Sequence, residues 1–194
     1  MDSPLIGAAL ELGADRAALL PVEQIPFEAS FRTLCEQNSC GKYGTCWMCP
    51  PLVGPIEPLM ARARTYSTAL VYQSIGHLED SYDFEGMMAT AKAMNQLCQR
   101  IRDRVEPMLG GRPLYLGAGA CLLCPRCAAL DQQPCRFPDR AMPSLESYGV
   151  NVSALAPLCG MKYINGPNTV TYFGAVLFET GGDHAPVYHS HPVG

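Results

Sequence analysis

The chain has 194 residues, of which 48% are hydrophobic and 16% charged, and a formal net charge of −4. Such a length buries a sizeable core, and such a composition excludes a disordered segment. The acidic balance excludes a basic surface that tracks phosphates, so no nucleic-acid partner is expected. Arg100, Arg102 and Arg104 form the densest basic run, broken by Asp103, and read as a solvated helix face.

From the N-terminus, Pro4 to Gly13 carries Leu5, Ile6, Ala9 and Leu10 at helical spacing, with Ser3 as cap and Pro4 at the first helical position. The apolar run Ala17 to Val22, broken by Pro21, predicts a strand near 15–20. Glu28 to Cys35 reads as a short helix. From 35 to 58 the chain alternates Cys, Gly and Pro, which predicts a loop that a metal must organise. Pro58 to Tyr66 reads as a short helix, and the β-prone run Ser67 to Ile75, closed by Gly76, as a strand.

Asp83 to Leu109 places Phe84, Met87, Met88, Ala91, Met94, Leu97, Ile101 and Val105 on one helical face, the strongest helix signal in the chain. Cys98 lies on that face and reads as a core thiol. Pro113 to Gly117 predicts a strand leading into a second irregular loop, 121–143. Val150 to Ala156 suggests a short helix, and Thr169 to Glu179 a last strand. The order predicts an α/β protein: one domain over 1–194, a small mixed sheet of about four strands with helices, and metal loops at the sheet ends. Residues 181–194, with Asp183, His184, His189 and His191, are expected to form a mobile tail.

No stretch approaches the ~18 apolar residues of a spanning helix, and no basic segment precedes a long apolar run at the N-terminus. A cytoplasmic protein with no membrane partner is therefore expected. Its ten cysteines then read as metal ligands or redox groups, not as a disulfide framework.

Eight of them form two clusters. Cys121, Cys124 and Cys127 follow a Cys-x2-Cys-x2-Cys pattern, with Cys135 after seven further residues and a proline on either side of its short segment. Sulfurs at successive two-residue gaps cannot all pair with one another, yet they converge on one metal centre. The triple matches the wrapping of three corners of a [4Fe–4S] cluster, where backbone N–H groups aimed at sulfur tune its potential. Zinc remains the alternative, although its knuckles are usually two Cys-x2-Cys pairs held well apart.

Cys35, Cys40, Cys46 and Cys49, followed by Pro50-Pro51, form the less regular cluster. They suffice for a second cluster, or donate Cys49 to a shared arrangement. With three ligands bound, one iron would stay open to a substrate or a sulfur atom. Tyr43 and Trp47 would shield such a centre. Cys159 reads as either a spare ligand or a structural thiol. No phosphate-cradling Gly-x-Gly-x-x-Gly and no nucleophile elbow occurs, so flavin and nicotinamide cofactors lack support.

The combination Phe31-Arg32, Cys35, Cys40, Tyr43-Gly44, Trp47 and Cys49-Pro50-Pro51 resembles the opening signature of a prokaryotic family of predicted metal-binding proteins, a domain of unknown function. Gly117-Ala118-Gly119, the second cysteine cluster, Pro134-Cys135-Arg136-Phe137-Pro138, Ser144-Leu145-Glu146, Tyr148-Gly149, Asn165-Gly166 and Asn168 to Tyr172 extend the likeness over roughly 30–180. The resemblance implies that Cys35, Cys40 and Cys49 and the four later cysteines bind metal. It implies that Cys46 and Cys159 fall at variable positions, which favours a three-cysteine site in the first loop. A looser likeness reaches the iron–sulfur parts of epoxyqueuosine reductase and the reductive dehalogenases, through a phrase like Leu12-Gly13-Ala14-Asp15 and the ferredoxin-type loop; it implies electron delivery to a corrinoid or similar partner.

Three functions are thus expected of the sequence. The leading one is an iron–sulfur redox protein, an oxidoreductase or accessory reductase with one or two [4Fe–4S] clusters, serving a redox partner protein or a small-molecule substrate. The second is a binding protein that zinc or a cluster merely holds together. The third is a thiol- or persulfide-handling protein using Cys46 as a spare thiol.

Overall fold

The computed structural model describes residues 3–180. Helix α1 (Pro4–Glu11) starts where its sequence says: the Leu5 N–H donates to Ser3 Oγ at 3.3 Å and Pro4 fills the first position. Next come β1 (Arg16–Pro21), α2 (Phe31–Glu36), α3 (Ile56–Ala63) and β2 (Thr68–His77). Then follow α4 (Phe84–Val105), β3 (Leu114–Leu116), α5 (Val152–Leu158) and β4 (Thr169–Phe178). Asp83 caps α4 by accepting the Gly86 N–H at 2.7 Å. Among the described residues, no helix is long and apolar enough to cross a membrane.

The four strands form one sheet in the order β1-β2-β4-β3. The α/β class and strand count are as expected, but the sheet is not mixed: all three ladders are antiparallel. The physical reason is the placement of β4. Strands β2 and β3, joined through α4, run parallel to one another, and β4 inserts between them against both, so neither forms a parallel ladder.

Alternation along β2 and β4 feeds two cores. Ala69, Val71, Ala175 and Leu177 face one side, where Ala63 of α3, Leu155 and Ala156 of α5 and the Leu145–Val150 segment cover them. Leu70, Tyr72, Val176 and Phe178 face the other, under Ala8 and Ala9 of α1 and Met94, Leu97, Cys98 and Ile101 of α4. Both central strands are consequently apolar on both faces, the continuous pattern that made them legible. Gly174 is required by this packing: it pairs with Tyr72 across the ladder, and a Cβ there would fall 2.5 Å from the Tyr72 ring.

Two boundaries and the placement of one side chain differ from expectation. The first metal loop ends at 55 rather than 58, because Ile56 is buried and Pro58 sits in the first turn of α3, where no backbone N–H is needed. Helix α2 begins at Phe31, not Glu28, since the Glu28 N–H is engaged by Gly149 O at 2.6 Å in an edge contact. Arg102 leaves the expected solvated face: its side chain is 12% exposed, while Arg100 and Arg104 remain outside. The expected mobile tail, with His184, His189 and His191, lies outside the described residues.

Candidate metal centre

Two irregular segments, one after α2 and one after β3, meet beside the C-terminal half of α4. The first is folded by tight turns: the Cys49 N–H donates to Cys46 O at 3.0 Å, and the Gly44 N–H to Pro50 O at 2.8 Å. Tyr43 N–H donates to Asn38 Oδ1 at 3.0 Å. The second segment is lashed to α4. Leu122 N–H donates to Asn95 Oδ1 at 3.2 Å, Gln99 Nε2 to Arg140 O at 3.0 Å, and Arg140 to Asp103 Oδ2 at 2.8 Å. The indole of Trp47 joins the two segments directly, donating to Gln133 O at 2.9 Å.

Where they meet, five thiols line one cavity: Cys46, Cys121, Cys124, Cys127 and Cys135. The grouping departs from the sequence order, because Cys46 belongs spatially with the second cluster. It is also the buried member of the set, at 4% exposure. Cys49, three residues on, does not line the cavity, although its thiol hydrogen-bonds to Cys46. Cys35 and Cys40 do not line it either; Cys49 is pushed up chiefly by its hydrogen bond to Cys46 and by burial, with smaller effects of negative charge on Cys46, Cys40 and Cys35.

The electrostatics mark Cys46 as the thiolate of the set. The Cys49 thiol donates to it, and the Met48 and Cys121 N–H groups and the Cys127 thiol add to that, outweighing burial and lowering Cys46 to about 6. Cys49 keeps its proton for the same reason: donating to Cys46 raises it most, then burial. Cys121 is raised by burial, though its sulfur accepts the Leu123 and Met142 N–H groups. Burial also raises Cys35, against the lowering effect of Arg32 one helical turn earlier. Among the described residues buried Arg32 Nε and Nη2 have no hydrogen-bond partner, and the guanidinium is close enough to Cys35 to lower it by charge.

The lining suits a soft metal centre. It is a pure sulfur donor set, backed by N–H donors to two of the sulfurs and closed by Leu123, Ala128, Phe137 and Ala141, with no carboxylate or imidazole among the lining side chains. The cavity measures about 20 Å3, room for little more than one water-sized centre. Among the described residues no three His, Cys, Asp or Glu side chains stand in a ready-made single-ion arrangement. All ten cysteines are free thiols.

Cys98 and Cys159 stand apart. Cys98 is 3% exposed in the α4 core, as expected, and burial, opposed by the Tyr72 hydroxyl, raises it to about 11. Cys159 packs against the α3/α5 core and burial raises it to about 12. Burial disfavours the thiolate, so the reactive form appears only as pH climbs towards these values. At pH 8 only about one Cys98 side chain in a thousand is ionised. Iodoacetamide at pH 8 is therefore expected to leave Cys98 and Cys159 unmodified in the native protein and to label both after denaturation, as read by peptide mass mapping. Native labelling of Cys159 would contradict its packing.

Sequence reasoning missed the supports of the site. Asn95, Gln99 and Asp103 recur every four residues along α4 and hold the second segment. That polar stripe at a spacing of four along the amphipathic helix was the available signal.

An α/β scaffold carrying two cysteine-rich segments that converge on a thiol-lined cavity defines a metal-binding protein. A family model described as "Predicted metal-binding protein (DUF2284)" matches residues 18–178, and the chain belongs to that family. No curated protein and no solved structure matches it.

Proposed function

We propose that this is an iron–sulfur redox protein whose electron-transfer centre is held by cysteines of both segments. The observation that supports it best is the convergence of Cys46 with Cys121, Cys124, Cys127 and Cys135 on one cavity, with N–H donors on Cys46 and Cys121. When bound, a [4Fe–4S] cluster supplies one-electron chemistry. The chain's part is to hold thiolates in a low-water pocket. Met48, Cys121, Leu123 and Met142 N–H groups stabilise negative charge on sulfur. Phe137 and Ala128 close the pocket against solvent, and the Asn95 and Gln99 contacts keep the second segment from moving away when the charge changes.

Cys35, Cys40 and Cys49 form the second group, with the Arg32 guanidinium beside it. Three thiols and an unpartnered cation suit a centre with one open position, where a sulfur-containing or anionic substrate binds. Electrons then pass to that group or to a partner protein, a corrinoid carrier being one chemical class that needs low-potential electrons. The protein acts in the cytoplasm on this reading.

The test is iron, acid-labile sulfide and zinc in anaerobically purified protein, with EPR before and after dithionite. Iron and sulfide in equal amounts, about four or eight per chain, with a signal on reduction, are expected. Zinc without sulfide would sink the redox reading and leave a structural role.

A further inference from the structure

A cleft of about 730 Å3 lies against the thiol cavity, a volume in the range of small-molecule sites. The two share a wall: Trp47, Met48, Cys135 and Ala141 line both. Its other walls come from α3, α4 and β3, the last an edge strand of the sheet. Leu52, Val53, Leu59 and Leu114 make one side apolar.

Opposite them stand groups with unmet hydrogen-bonding capacity. Among the described residues buried Arg102 Nη1 has no hydrogen-bond partner; its Nε makes an ion pair with Glu106 Oε2 at 3.4 Å but no hydrogen bond. The guanidinium lies over the Tyr115 ring, 5.2 Å from its centroid, and the buried Tyr115 hydroxyl makes no hydrogen bond of good geometry among the described residues. Burial, then the charge of Glu106, raises Tyr115 to about 12 against the opposing charge and N–H groups of Arg102, so it stays protonated at neutral pH. Arg62, whose Nη1 donates to the Tyr148 hydroxyl at 3.4 Å, adds a second cation at the cleft. Asp139 is the one carboxylate on the lining against these two arginines. Buried donors left unpaired are costly, and an arginine and a phenol side by side are donors awaiting an acceptor.

We propose that this cleft binds a small organic anion, its carboxylate or phosphate taken by Arg102 and Tyr115 and its flat apolar body lying along Leu59, Leu114 and Trp47. The unpaired Arg102 and Tyr115 donors carry the anion preference; the apolar wall carries the preference for a hydrophobic body. Bound there, the ligand is separated from the thiol cavity only by the shared wall, so the site places a small molecule beside the metal centre. Binding itself stands whichever metal the cysteines hold.

The test is calorimetric titration of the purified holoprotein with 1-naphthoate, 1-naphthyl phosphate and neutral 1-naphthalenemethanol. At least one anion is expected to bind one to one, at least about tenfold tighter than the alcohol, as loss of a charged hydrogen bond implies; the tighter of the two anions names the headgroup. Arg102→Met should bring anion binding down to the level of the alcohol while the alcohol binds as before. Val53→Trp, which fills the apolar side and leaves both arginines unsubstituted, should abolish binding of all three. Should Arg102→Met fail to fold, the anion-to-alcohol ratio and Val53→Trp decide alone. Equal binding of anion and alcohol, anion binding unchanged in Arg102→Met or Val53→Trp, or no binding at all would overturn the proposal.

Discussion

Cys46→Ala is expected to remove the same metal centre that Cys121→Ala removes, although the two residues lie in different cysteine clusters of the sequence. Both sulfurs line one cavity, and both accept backbone N–H groups, Cys46 from Met48 and from Cys121 itself. Five thiols line the cavity where a cubane takes four; the N–H-bonded Cys46 and Cys121 are expected to be ligands, and one of Cys124, Cys127 and Cys135 is then the spare thiol, which would have to rebuild its own loop to replace either. Each single variant should therefore lose about four irons per chain if the centre is a cubane. The decisive measurement is the double variant, because residues acting on one centre are non-additive. Its iron content should equal that of either single variant, with the same EPR signal missing. A double variant that loses about twice as much iron as each single one would instead place Cys46 and Cys121 in separate centres, as sequence order suggests.

That contrast shows which parts of the molecule were legible. The helix α4 and the strands β2 and β4 were readable to within a few residues, because burial on a fixed period leaves an apolar pattern that no other placement satisfies. The two cysteine segments were readable as metal loops for the opposite reason, since their Gly, Pro and Cys content forbids regular structure. What could not be read was the partition of the thiols. Ligand grouping depends on which way each sulfur leaves a turn: Cys46 lines the cavity, whereas Cys49, three residues on and hydrogen-bonded to it, does not. Arg102 was misplaced on the surface for a related reason. Its position on α4 is polar in sequence, and only the docking of Tyr115 and the Met142–Pro143 segment makes it an inward one. The antiparallel sheet was equally hidden, because nothing local tells β4 to insert between β2 and β3.

Removing the metal is expected to free both cysteine segments while leaving the sheet and its helices folded. The two cores that flank the sheet are built from strands and helices and contain none of the cavity cysteines. The segments themselves are held by turns, by their α4 contacts and by direct bonds between them, Trp47 to Gln133 and the Cys121 N–H and Cys127 thiol to Cys46. Shared metal ligation would supply the rest of their folding free energy. Trp47 is the single tryptophan of the chain, so its fluorescence reports this junction without interference. Anaerobic chelation should raise the Trp47 emission and move it to the red as the indole leaves the cavity wall, while the far-UV circular dichroism keeps its strand and helix signal. Trypsin should then cut after Lys42, Arg126 and Arg136, all in the two segments, at least about tenfold faster than in the loaded protein, since cleavage follows the population of the opened state. Emission and cleavage unchanged by metal removal would mean that the hydrogen bonds alone fix the segments, and the cavity would then be a preformed pocket that the metal merely enters.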